Sequence, residues 1–188
     1  HLSLRRQRQM CIRDSTSTQT ITIPTNATKA DVYLVGPGTG GGGAGSSCGG
    51  TTPGSGGSAG GALRKFLTGL VATKTLALTI GAGGAGGSLG STPSYGSIGS
   101  ANSTLASGTQ TITTLTASRS VTAAVGGVAI NGDINLNGAP SSTIAPPTGV
   151  GQPCGFGLGI GTAGSFTVGC NVIPNYPIGY GAGGSGTN

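Results

Sequence analysis

Three kinds of motif in this sequence have the spacing of a ligand-binding or catalytic site. Gly36-Pro-Gly38-Thr-Gly-Gly41 fits GxGxxG and follows the strand-like run Ala30 to Val35. In a dinucleotide site such glycines let the backbone approach a pyrophosphate at the start of a helix, and an acid about twenty residues on holds the ribose. Here no helix can readily begin in Gly40 to Gly45 and no acid lies at that distance, so nucleotide binding is not expected. Gly56-Gly-Ser58-Ala-Gly60 and Gly86-Gly-Ser88-Leu-Gly90 both have the GxSxG spacing of a nucleophile elbow. That serine needs a histidine as base, and the sole histidine is His1. Asp133, Asn135, Asn137 and Gly138 reproduce the start of a calcium loop. Its twelfth position is Ile144 rather than the bidentate Glu such a loop requires. The apolar residues between fit a strand better, with a weak surface calcium site as the other reading.

General acid–base catalysis needs ionisable groups within reach of one another. Past residue 14 the acids are only Asp31 and Asp133, with no histidine to join them. An enzyme is therefore not expected, and neither a cofactor nor a metal is implied. Setting aside Cys11, the cysteines are Cys48, Cys154 and Cys170, an odd number that argues against a disulfide framework. Cys154–Cys170 is the single bridge to consider. Free buried thiols are favoured if the protein assembles in a reducing cytoplasm.

Composition explains why so little chemistry is on offer. Of 188 residues 41 are Gly and 10 are Pro, and Leu, Ile, Val and Phe together supply only 37. An ordinary helical enzyme is disfavoured, because each glycine inside a helix costs about 1 kcal/mol relative to alanine. Collagen needs glycine strictly at every third position, which this chain lacks. Twelve charged side chains are too few for a charged disordered tail. No run of 18 apolar residues marks a transmembrane helix, so no lipid insertion is expected.

The formal charge of +6 is unevenly placed: Arg5, Arg6, Arg8 and Arg13 lie in the first fourteen residues, with Asp14. Gln9-Met10-Cys11-Ile12-Arg13-Asp14 resembles a translated transposase-type sequencing adapter, since ATG-TGT-ATA-AGA-GAC reads Met-Cys-Ile-Arg-Asp. The chain is accordingly divided into an adapter-derived segment, 1–14, and a single glycine-rich domain, 15–188. The alternative for 1–14 is a basic arm for nucleic acid. The body then keeps Lys29, Arg64, Lys65, Lys74 and Arg119 against Asp31 and Asp133, a net charge of +3. With most of the basicity gone, no nucleic-acid partner is expected.

Strand-like and glycine-rich segments alternate along the body. Thr20 to Pro24 alternates polar and apolar residues, Ala30 to Val35 reads as a strand with a buried centre, and Ala62 to Leu67 is a third. Lys74 to Ile80 places Leu76, Leu78 and Ile80 on one face. Ile112 and Leu115 sit in a Thr-rich stretch that suits an exposed strand, and Val128 to Leu136 has Ile130, Ile134 and Leu136 at even spacing. No segment shows a helical period of ten residues.

The glycine tracts between them read either as flexible linkers or as packed polyproline-II-like helices. The latter have three residues per turn and no internal hydrogen bonds, so buried backbone groups must find partners on neighbouring tracts. Gly81, Gly84, Gly87 and Gly90 hold one three-residue frame; Gly42, Gly45, Gly57 and Gly60 belong to another, interrupted by Thr39, Cys48 and Thr51. These eight are the expected structural glycines, and the bundle is the favoured reading because strands flank the tracts so regularly.

The order Thr20-Ile-Thr-Ile-Pro24, Asp31-Val-Tyr-Leu-Val-Gly-Pro-Gly38, Gly40-Gly-Gly-Gly43, Gly60-Gly-Ala-Leu-Arg-Lys65 and Leu78-Thr-Ile-Gly-Ala-Gly-Gly84 resembles the glycine-rich domain of bacteriophage tail fibres. Asn131 to Gly138 and Gly179 to Gly184 are similar to its later segments, and a similar module occurs in anaplastic lymphoma kinase. The resemblance implies an all-β fold: a β-sandwich with an inserted polyproline-II helix bundle, used near a fibre tip for host attachment. The family usually closes with a further apolar strand, so this chain, ending at Asn188, is expected to lack its C-terminal strand. The expected function is a structural and adhesive module of the virion, acting outside the cell. Its expected partners are a bacterial outer-membrane protein or surface glycan, and other tail-fibre subunits. Aromatic side chains serve such surfaces as rigid anchors, which makes Tyr95, Phe156, Tyr176 and Tyr180 the receptor-binding candidates. The alternative is an ice-binding or surface-structural protein presenting flat Ala, Ser and Thr faces. The sequons Asn26-Ala-Thr28 and Asn102-Ser-Thr104 carry no meaning in a phage or bacterial protein.

Overall fold

A computed structural model describes residues 12–43, 45–47, 50–52, 55–88, 96–122, 125–141, 159–160 and 178–179. Those residues form twelve strands and no helix. A five-stranded antiparallel sheet has the order β1 (Gln19–Thr22), β6 (Thr75–Thr79), β7 (Ser103–Ser107), β8 (Leu115–Ala117), β9 (Ala129–Ile130). A three-stranded antiparallel sheet has the order β10 (Ile134–Leu136), β5 (Ala62–Thr68), β2 (Lys29–Val35). Two small pairs complete the set: β3 (Gly45–Ser47) with β4 (Gly50–Thr52), and β11 (Gly159–Ile160) with β12 (Ile178–Gly179). The fold is all-β.

One apolar core joins the two larger sheets. The period-two alternation of β6 turns Leu76 and Leu78 inward, and that of β5 does the same for Leu63 and Leu67. Leu34, Leu105, Leu115 and Ile23 pack into the same cluster, with Leu63 and Leu115 wholly inaccessible. Ile80 is only partly buried at its margin.

Three expectations about the strands change. Val128 to Leu136 is not one strand but two, β9 and β10, in different sheets. Asn131 adopts φ +68° between them, a left-handed conformation that asparagine tolerates better than most side chains. Its Nδ2 donates to the Thr114 carbonyl, and the Asp133 N–H donates to the Arg64 carbonyl, fixing the crossing. Ile130, Ile134 and Leu136 consequently stay exposed. The centre of β2 is also not uniformly buried: Leu34 is inside while Tyr33 is half exposed. Strand β7, rich in Ser, Thr and Ala, carries little apolar signal in sequence. The Thr-rich stretch is not an exposed strand: Ile112 lies outside any strand, and Leu115 of β8 is wholly buried.

Between the strands, the glycine tracts are bonded to one another every third residue. The N–H groups of Gly36, Thr39 and Gly42 donate to the carbonyls of Gly61, Ser58 and Ser55 at 2.8, 3.0 and 2.8 Å, an antiparallel run. Those of Gly84 and Gly87 donate to Gly38 and Gly41 at 3.1 and 2.7 Å, a parallel run. Ser97 and Ser100 donate to Ala85 and Ala82 at 2.8 and 2.9 Å. A step of three residues in each partner is the repeat of a polyproline-II helix; a β-ladder would repeat every two. Burial follows the same period. Gly81, Gly84 and Gly87 are half-buried, while Ala82, Gly83, Ala85 and Gly86 are exposed. Residues 36–43 and 56–61 are buried almost throughout and form the middle of the array.

Candidate binding surface

Two features of the described residues offer an organised surface: the array and the outer face of the three-stranded sheet. Inside the array, side-chain hydroxyls replace glycine where contacts allow. Thr39 interrupts the glycine frame in sequence, yet it is buried, and its Oγ1 accepts the Ser58 N–H at 2.8 Å. The Ser58 hydroxyl contacts those of Thr39 and Ser120, and donates to the Thr122 carbonyl; Ser120 Oγ also reaches the Thr122 and Val125 carbonyls. Ser58, the centre of the first GxSxG match, is thus wholly inaccessible and engaged in a hydroxyl cluster that crosslinks three tracts. Gly36 to Gly41, the dinucleotide-like motif, runs buried through the middle of the array with its amides and carbonyls bonded to neighbouring tracts.

The calcium-like run is likewise occupied by protein contacts. Asp133 accepts from Lys65 Nζ at 2.5 Å and from the Phe66 N–H at 2.8 Å. Asn135 Oδ1 accepts from Gly132, and Asn137 Oδ1 from Ala129. Among the described residues no three Asp, Glu, His or Cys side chains converge as metal ligands. Among them, too, no helix is long and apolar enough to cross a membrane.

Of the seven charged side chains beyond residue 14, five belong to the three-stranded sheet or the turn entering β10. Their placement follows from alternation and register. Residues 29, 31 and 33 of β2 share the face turned away from the core, as do 64, 66 and 68 of β5. Register sets Tyr33 beside Arg64, Arg64 beside Ile134, and Asp31 beside Phe66. Arg64 Nε and Nη2 donate to the two Asp31 oxygens at 3.0 and 2.6 Å, and the guanidinium lies 5.2 Å from the Tyr33 ring centroid. The planar fork is therefore held by a bidentate ion pair on one side and an aromatic face on the other. Phe66 is 53% exposed and Tyr33 50%. Lys65 shares parity with the core leucines but reaches out to Asp133.

Both carboxylates are held below their ordinary pKa: Asp31 by the hydrogen bond from Arg64, Asp133 by those from Lys65 and the Phe66 amide. A depressed folded pKa contributes stability above the unfolded-state pKa and loses it as pH falls through the folded value. The thermal midpoint should thus decline as the pH falls through and below the ordinary aspartate range. Because both groups are solvent-exposed the decline is modest. Asp31→Asn combined with Asp133→Asn should flatten it in a calorimetric pH series.

None of the four aromatic candidates falls on this surface: Tyr95, Phe156, Tyr176 and Tyr180 lie outside the described residues, as do Gly90, Cys48, Cys154 and Cys170. Of the other expected structural glycines, Gly42, Gly84 and Gly87 donate inter-tract hydrogen bonds. Gly57 and Gly60 are buried in 56–61, and Gly81 donates to Ser103 Oγ. Gly45 instead begins β3, paired with Thr52 of β4. The Asp31–Arg64–Tyr33–Phe66 cluster is not evident from either strand's own sequence. Its signal was the spacing Asp31-x-Tyr33 and Arg64-x-Phe66 inside two expected strands, which becomes a cluster only through the β2–β5 register.

A core of two antiparallel sheets, crosslinked by glycine tracts with a three-residue period, defines a glycine-rich β-domain. The glycine-rich domain family model matches residues 14–188, and the chain belongs to that family. No curated protein and no solved structure matches it significantly.

Proposed function

We propose that the chain is a non-enzymatic structural and adhesive module of a phage tail fibre. It displays loops between packed glycine helices to a bacterial outer-membrane protein or surface glycan, and joins other fibre subunits in the virion. The observation that supports this most is the three-residue hydrogen-bond repeat. It turns tracts that would otherwise be slack into a fixed frame, and recognition is strongest from groups held in place before the partner arrives. The order of strands and glycine tracts, similar to that of tail-fibre glycine-rich domains, points the same way. Adsorption of whole fibres to host cells tests it: Tyr95→Ala with Tyr176→Ala should abolish adsorption without unfolding the domain. Unchanged adsorption removes both residues from the site.

A second reading is favoured by one observation. The adjacent tracts 81–88 and 96–101 leave Ala82 and Ala85, and Ser97 and Ser100, exposed at three-residue steps, with the two hydroxyls accepting from the alanine amides, a regular Ala and Ser surface of the kind an ice-binding face would present. Thermal hysteresis in the purified protein would select that reading over adhesion.

A further inference from the structure

The outward face of the β10–β5–β2 sheet combines two exposed aromatic rings, a fixed ion pair and an exposed lysine. Tyr33 and Phe66 occupy diagonal positions of adjacent strands, about 7–8 Å apart. Lys29 lies diagonally across from Phe66 on its other side, opposite Thr68. We propose that this face binds an acidic polysaccharide, with a sugar ring laid over Phe66, bordered by the Arg64-capped Tyr33, and a uronate carboxylate at Lys29.

Three observations select this occupant. The first is size. Three strands spaced about 4.8 Å apart, with β2 seven residues long, present roughly 200–300 Å². A specific protein partner needs about 800 Å² on each side, so the face suits a narrow ligand better than a second copy of this chain. The second is charge. Asp31 is paired with Arg64, and Asp133 with Lys65. Lys29 therefore leaves the sheet with one uncompensated positive charge, complementary to an acidic ligand. The third is chemistry. A ring's electron-rich face attracts the polarised C–H groups of a sugar. The Asp31 carboxylate has lone pairs beyond the two that Arg64 uses and offers them to sugar hydroxyls. Arg64, stacked on Tyr33 and bonded to Asp31, orients both of these groups; it is a positioning residue.

This surface is separate from the loop aromatics of the adhesive reading and stands or falls without them. The test titrates the full 188-residue chain with a galacturonate hexamer and with a neutral glucose hexamer of equal length, by calorimetry and amide chemical shifts. Galacturonate should bind, with shifts centred on Lys29, Asp31, Tyr33, Arg64 and Phe66. Phe66→Ala and Tyr33→Ala should each weaken it about tenfold or more, and Phe66→Tyr should retain binding. Lys29→Met should erase the preference for the acidic sugar. The proposal is overturned by no galacturonate binding, by equal binding of the neutral hexamer, by indifference to Phe66→Ala, or by a dimer whose formation needs Phe66. All these variants keep Tyr95 and Tyr176, so failure here and failure of host adsorption are read independently.

Discussion

Gly60→Ala should unfold the domain or bring it close to unfolding, while Gly83→Ala should be nearly silent. A β-carbon on Gly60 would lie 2.0 Å from the Gly36 carbonyl oxygen. That oxygen belongs to a backbone bonded into the array, so it cannot rotate aside as a side chain would. Relief requires separating two tracts, which breaks the run of bonds from Gly36, Thr39 and Gly42 to Gly61, Ser58 and Ser55. Overpacking a conventional core costs about 1–3 kcal/mol because side chains repack; here the cost should exceed about 3 kcal/mol, since only backbone is available to move. Gly83 belongs to the same kind of tract, but a β-carbon there meets nothing within 4 Å. Its replacement should change stability by less than about 1 kcal/mol, with a small gain expected from the stiffer unfolded chain. Urea denaturation of the two variants beside the parent separates close packing from mere glycine content.

The second large effect is expected at the leucines that join the two sheets. Leu63→Ala and Leu115→Ala should each cost about 3–5 kcal/mol, the upper part of the range for buried leucine. Both side chains are wholly inaccessible, one in each sheet. The loss depends on how far neighbours collapse into the cavity. Around Leu63 that collapse is limited, because β5 pairs on both sides and continues directly into the bonded tract at Gly61. A chain with so few large aliphatic residues has little other apolar burial to compensate. Midpoint shifts in urea, at unchanged slope, are the readout.

The strands were legible in the sequence where apolar residues alternate. Leu76 and Leu78 in β6, and Leu63 and Leu67 in β5, announce their faces through period two alone. The glycine tracts were legible through their period of three, and Thr39, which breaks that period, proves to be a buried member of the array. Other features depend on pairing and could not be read locally. The even spacing of Ile130, Ile134 and Leu136 suggested one strand. Yet a left-handed residue at Asn131 sends the chain to the second sheet and leaves all three exposed. Strand β7 owes its place to neighbours on both sides rather than to its own apolar content. The charged and aromatic face needed the register of β2 against β5, a long-range property that no spacing within either strand contains.

Hydrogen exchange on residues 81–88 tests the central claim most directly, since a surface tract would be the first to loosen. Gly84 and Gly87 donate to Gly38 and Gly41 across the array, whereas the amides of Gly83 and Gly86, on its exposed face, donate to no carbonyl among the described residues. The expected pattern is slow exchange at Gly84 and Gly87 and fast exchange at Gly83 and Gly86. Uniformly fast exchange along the tract, or protection that alternates every second residue, would contradict a hydrogen-bonded array of three-residue helices.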